Sequence, residues 1–129
     1  MKIIEGKGAT LGRLASFAAK EALKGEEIII LNCTEVIISG GNKNIEREFF
    51  EKRNRHGASQ KGPIYPSQAE KIVKRTIRGM LPDHRKGRGR VAFKKIRCYN
   101  KVPAEYEEKE KIEMKKDKLK YIKVGDIKK

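Results

Sequence analysis

The sequence predicts an α/β fold built on parallel strands, and three features of its first third carry that expectation. A short β-rich run at residues 2–5 leads into a glycine turn, a stretch of helical period follows, and a second apolar run occupies residues 27–32 without alternation. A strand covered on both faces reads as a continuous apolar run, whereas a half-exposed strand alternates. Strand, helix and strand in that order and at these lengths imply a right-handed βαβ crossover. The chain of 129 residues suits one domain.

In the first helix Leu11, Leu14, Ala15, Ala18, Ala19, Ala22 and Leu23 recur at i, i+3, i+4, i+7, i+8, i+11 and i+12, one face of a 3.6-residue turn. Thr10 is expected to cap its start and Gly25 to end it. Residues 32–41 fit either a short helical turn or an extended segment. A second helix is expected from Asn42 or Asn44, with Ile45 and Phe49 on one face and Glu48/Lys52 and Glu51/Arg55 paired at i, i+4. It gives way to a polar basic loop over residues 52–63. The third helix opens on Ser67-Gln68-Ala69-Glu70, which has the form of a capping box. Its inward stripe is Ala69, Ile72, Val73, Thr76, Ile77 and Met80, and it stops near Gly79 to Pro82. Residues 103–119 alternate acids and bases, with Glu105/Lys109 and Glu107/Lys111 in the favourable i, i+4 order, and predict an exposed helix. Tyr121-Ile122-Lys123-Val124 is expected to return as a short docking segment.

Charge is distributed unevenly over this scaffold. Lys and Arg number 32 against 17 Asp and Glu, a formal net charge of +15. Residues 1–40 carry 5 of each sign, residues 41–103 carry 18 cations and 5 acids, and residues 104–129 carry 9 and 7. The excess therefore belongs to the centre, the pattern of a localised face for a polyanion, either nucleic acid or an anionic membrane surface. The longest apolar run is residues 28–31, far below the roughly 20 residues that cross a bilayer. The N-terminus lacks the apolar core of a signal peptide, so a soluble intracellular protein is expected.

The third helix concentrates the signal. Lys71, Lys74, Arg75 and Arg78 occupy i, i+3, i+4 and i+7 opposite the apolar stripe, with no acid among them. A solvated face gains from mixed signs, and four like charges in adjacent turns repel unless anions neutralise them. Asp83-His84-Arg85-Lys86-Gly87-Arg88-Gly89-Arg90 follows directly and sets four cations among small residues, where glycine permits close approach of a sugar-phosphate chain and arginine forks onto phosphate. Lys52, Arg53, Arg55 and Lys61 form a second basic segment. Tyr65 stands at its edge, where it can stack on an unpaired base or lie half buried. With few Asn, Gln or aromatic residues interleaved, phosphate and shape contacts are favoured over base reading.

Other chemistry has less support. Gly6-Lys7-Gly8-Ala9-Thr10-Leu11-Gly12 is a G-x-G-x-x-x-G turn at the place where dinucleotide folds hold a pyrophosphate, and Glu35 lies at a distance suited to a ribose, but the spacing departs from G-x-G-x-x-G and a tight strand-to-helix turn explains it as well. His56 and His84 have no Ser, Cys or carboxylate beside them in a catalytic arrangement. Cys33 and Cys98 are far apart in sequence with no local Cys-x-x-Cys, so neither a disulfide framework nor a zinc knuckle is expected, and both read as buried reduced thiols.

Gly12-Arg13-Leu14-Ala15-Ser16, the segment ending Ile37-Ile38-Ser39-Gly40, Arg75-Thr76-Ile77-Arg78-Gly79-Met80-Leu81-Pro82, and residues 92–99 resemble, in that order, the large-subunit ribosomal protein L-thirteen family. Tyr121-Ile122-Lys123-Val124-Gly125-Asp126-Ile127 is similar to its archaeal branch. The resemblance implies a three-layer α/β/α sandwich around a small, mainly parallel four-stranded sheet. It recasts residues 91–95 as a helical turn before a strand at 96–99. Residues 1–102 are then expected to form the core domain and 103–129 a charged C-terminal helical extension packed back on it. It also implies no catalysis, no cofactor, metal or small-molecule substrate, no membrane, and a cytoplasmic place on the ribosome. The expected partners are large-subunit ribosomal RNA and neighbouring large-subunit proteins. The residues expected at the RNA are Arg13, Lys52, Arg53, Arg55, Lys61, Lys71, Lys74, Arg75, Arg78, Arg85, Lys86, Arg88 and Arg90. Asp83 departs from the more basic loop of the family.

Overall fold

A computed structural model describes residues 1–54, 66–115 and 120–127. The first third folds as its pattern predicts: strand β1 (Lys2–Glu5), helix α1 (Leu11–Leu23) and strand β2 (Ile28–Leu31), with β1 and β2 parallel and Ile3 opposite Ile29. The ambiguous segment resolves into both alternatives in succession. A 3-10 turn spans Cys33–Glu35 and β3 spans Ile37–Ser39. Helix α2 (Asn42–Asn54), α3 (Ala69–Met80) and α4 (Gly87–Lys94) follow, then β4 (Ile96–Cys98), β5 (Ile112–Glu113) and β6 (Tyr121–Lys123).

The main sheet runs β4-β2-β1-β5 and all three of its pairings are parallel. The two-residue period of a strand sends Ile4, Ile28, Ile30 and Ile96 to one face, where they join the buried stripe of α1, Ile72, Val73 and Ile77 of α3, and Ala92 of α4 in the principal core. Ile3, Ile29 and Leu31 point to the other face. That face is covered by Tyr106, on a 3-10 turn at Ala104–Tyr106, together with Tyr99 and Val102. A smaller cluster of Ile45, Ile122 and Ile127 seats α2 on the antiparallel pair β3–β6.

Local chemistry fixes the C-terminal end of α1. Gly25 takes a left-handed φ of +98° just beyond the C-cap Lys24. Its N–H donates to the Ala22 carbonyl and that of Glu26 to the Glu21 carbonyl, the two bonds of a Schellman motif. Thr10 occupies the cap position at the other end, but its hydroxyl makes no cap bond.

Two further expectations are corrected. The capping box at Ser67 does not form, because Gln68 is the N-cap and Ser67 therefore lies one residue too early. The Glu70 N–H donates instead to Oδ1 of Asn100, at 3.1 Å, from the segment after β4. The helix expected over residues 103–119 is also absent among the described residues there, which hold the short 3-10 turn and β5. Charge pairs at i, i+4 supply only about 0.2–0.5 kcal/mol each. Joining the edge of the sheet satisfies backbone groups and covers apolar side chains, and Ile112 does so beside Ile4, with Met114 packed on the core.

Candidate nucleic-acid interface

Helix α3 is built to present one face. Ile77 and Val73 are fully buried and Ala69 and Ile72 nearly so, while Met80, expected inward, is exposed where the helix ends. Burying that stripe turns Lys71, Lys74, Arg75 and Arg78 outward together, Lys71 exposed and the other three half-buried along their stems. The apolar period and the cationic period are thus one geometric fact, and the expected clustering of these four holds.

Phe93, in the last turn of α4, joins them. With Pro66 and the four cations it lines a pocket of about 220 Å³. The Lys74 ammonium stands 5.0 Å from the centre of the Phe93 ring, and the His84 ring packs against it with centroids 5.9 Å apart. The basic turn after α3 is therefore tied to the helix through His84, Phe93 and Lys74.

A second pocket, about 360 Å³, is lined by Glu70, Lys71, Lys74, Arg97, Cys98 and Tyr99. Arg97 is exposed on β4, an edge strand, where it pairs with Ile29 of the other face and meets Lys71 and Lys74 only around the sheet edge, in this pocket. Neither Phe93 nor Arg97 was among the residues expected from the sequence. Alternation in β4, with Ile96 buried and Arg97 exposed, is a signal for the second; nothing local marks the first.

The remaining expected residues divide by position. Arg85 and Lys86 are exposed in the turn between α3 and α4, where the Arg85 N–H donates to the Asp83 carboxylate at 3.0 Å. Asp83 thus shapes the turn that displays the cations. Arg88 and Arg90 are exposed, but on α4, which begins at Gly87. The glycines there serve the protein's own backbone. Gly87 has a φ of +65°, and a Cβ on Gly89 would lie 2.4 Å from the carbonyl oxygens of Pro82 and Asp83.

Lys52 and Arg53 belong to the last turn of α2. Lys52 shares a pocket of about 210 Å³ with Arg75, Phe49 and Pro66 among others. Arg53 donates to the Pro66 carbonyl at 3.2 Å and lies 5.6 Å from the centre of the Phe49 ring, so it binds α2 to the start of α3. Arg13 is exposed on α1, opposite the buried face by which that helix packs on α3. Arg55, Lys61 and Tyr65 lie outside the described residues.

The glycine turn before α1 closes on its own chain. A Cβ on Gly6 would meet the Leu31 carbonyl at 2.5 Å, and one on Gly8 would meet the Lys115 side chain at 2.8 Å. Glu35 is paired with Lys123 at 2.9 Å, which raises the lysine above its ordinary value. These contacts support the tight-turn reading. The two cysteines, distant in sequence, lie side by side, Cys33 buried in the core and Cys98, expected to be buried, only half-buried against it. The Cys33 N–H donates to the Tyr99 carbonyl beside Cys98 and its thiol points to the Ile30 carbonyl at 3.9 Å, and the neighbouring Cys98 thiol, reinforced by burial, pushes the Cys33 thiol far above its ordinary range. Among the described residues no group of three or more His, Cys, Asp or Glu is placed to hold a metal, and no helix is long and apolar enough to cross a membrane.

The family profile of ribosomal protein L13 matches residues 1–105. The chain is 40% identical over 134 residues to the large ribosomal subunit protein uL13 of Methanosarcina barkeri, covering 98% of this chain and 94% of the relative. It is 39% identical over 132 residues to that of Methanocaldococcus jannaschii, covering 100% and 96%. Identity to the Methanopyrus kandleri protein of the same name is 45% over 106 residues, 82% of this chain and 65% of the relative.

Proposed function

The chain belongs to the ribosomal protein L13 family, and from that premise we propose that it is a structural protein of the large ribosomal subunit that binds large-subunit ribosomal RNA through the basic face of α3. The observation that carries this reading is the row Lys71, Lys74, Arg75 and Arg78, turned outward by one buried stripe and continued by Arg85, Lys86, Arg88 and Arg90. Arginines supply forked donors to phosphate oxygens, and the surrounding lysines neutralise further charge. Binding of this kind releases counterions, supports subunit assembly by holding RNA segments together, and requires no catalytic step or cofactor.

Residues 1–102 act as the scaffold of that face, and 103–129 as an extension whose β5 and β6 segments dock on it. The other partners are neighbouring proteins of the subunit, and the site of action is the cytoplasmic ribosome.

Salt dependence tests the reading. Affinity for large-subunit ribosomal RNA is expected to fall linearly on a log-log plot against salt, and each lost phosphate contact to flatten the slope by about 0.7–0.9. The double variant Arg75→Ala, Arg78→Ala is therefore expected to bind more weakly with a shallower slope. Unchanged affinity and slope would remove α3 from the interface.

A further inference from the structure

We propose that the pocket of Pro66, Phe93 and the four cations of α3 receives the base of one unpaired RNA nucleotide, stacked on the Phe93 ring, while Arg75, Arg78 and Lys71 hold the flanking phosphates. The inference rests on the RNA-binding reading of α3 and specifies which RNA element that helix takes. A face that met only duplex backbone would need cations and no apolar recess. Here an aromatic ring and a proline are set into the middle of the cationic row, within one concavity of about 220 Å³. That volume is below the roughly 300–1,000 Å³ that encloses a drug-sized ligand, and it suits a single ring system.

The chemistry around the ring matches a base with its phosphates. Lys74 lies over the Phe93 face at 5.0 Å, so that face is turned toward the cationic row and is covered there by a long, flexible side chain. A base stacking there displaces the flexible ammonium toward the phosphate it would neutralise. His84 packs on the ring at a 45° tilt and holds its orientation. Among the described residues the lining contains no Asn, Gln, Ser or acid to read a base edge. Recognition is therefore by stacking and charge, tolerant of base identity, with purines favoured by their larger face.

An octa-adenylate carrying one 2-aminopurine, and a blunt A-form RNA duplex, distinguish the possibilities. The wild-type protein is expected to bind the single strand with quenching of the 2-aminopurine as it stacks. Base stacking on an aromatic residue contributes about 1–3 kcal/mol, so Phe93→Ala is expected to weaken single-strand binding by about 5- to 150-fold at every salt concentration, leaving the salt slope unchanged. Phe93→Leu keeps an apolar side chain without the ring and is expected to lose nearly as much, whereas Phe93→Trp restores binding and quenching. Duplex binding is expected to respond far less to all three. Thermal unfolding of the Leu and Trp variants reports whether the fold is intact. If Phe93→Leu binds the single strand like the wild type while Arg75→Ala, Arg78→Ala weakens it, the base pocket is wrong and the basic face stands. If the arginine variant also binds unchanged, both fall.

Discussion

Single residues show how the scaffold and the basic face share the same atoms. Gly89 lies between two exposed arginines, yet its hydrogen faces the carbonyls of Pro82 and Asp83, where a methyl group would overlap backbone at 2.4 Å. Gly89→Ala is expected to cost about 1–3 kcal/mol of stability by overpacking, measured by urea unfolding, and to lower RNA affinity as Arg88 and Arg90 shift with α4. Glu21 illustrates a different coupling. Hydrogen bonds from Lys2, then from Lys24, hold its carboxyl below the ordinary range against the opposing effect of burial. A carboxyl with a lowered folded-state value stabilises above its unfolded value and loses that contribution as pH falls through the folded one. The stability gap between wild type and Glu21→Gln is therefore expected to be present at neutral pH and to close on the acid side below about pH 4. Cys33, held protonated beside Cys98, is expected to resist iodoacetamide in the native state while Cys98, half-exposed at the wall of a pocket, is alkylated first. Equal rates by peptide mass spectrometry would contradict that thiol arrangement.

At the scale of elements, what the sequence reveals depends on whether the causes are local. The α1 stripe and Gly25 lie within a few residues of the contacts they make, and both behave as their spacing predicts. The start of α3 does not, because its N–H partner is Asn100, 30 residues away. Asn100→Ala is expected to destabilise by about 0.5–2 kcal/mol through the lost cap, whereas Ser67→Ala is expected to be near neutral, a contrast that thermal unfolding resolves. The tail misleads for the same reason: its charge pattern is helical, but pairing with β1 and β3 is decided by residues about 80–110 positions away. The cationic row of α3 was legible because a helix converts spacing directly into a face. Phe93 was not, since only the packing of α4 on the rest of the fold brings its ring to Lys74. Truncating the opposite side of α3 tests the dependence of one face on the other. Ile77→Ala is expected to cost about 2–5 kcal/mol and, through loss of helix order, to weaken RNA binding as well.

Over the whole molecule, the net charge of +15 resolves into a nearly neutral parallel sheet with α1 against it, and a basic surface on α3, the turn after it, α4 and the edge strand β4. The opposite face of the sheet is closed by Tyr99, Val102 and Tyr106, where the described cations are Lys109, 5.4 Å from the centre of the Tyr106 ring, and Arg97 at the sheet edge, in place of a helical row. That polarity is the central claim, and photo-crosslinking of the protein to large-subunit ribosomal RNA followed by peptide mapping tests it most directly. Crosslinks are expected to concentrate on residues 71–78, 85–90, Phe93 and Arg97. Crosslinks concentrated on the β3–β6 pair or around Tyr106, with α3 unmarked, would contradict it.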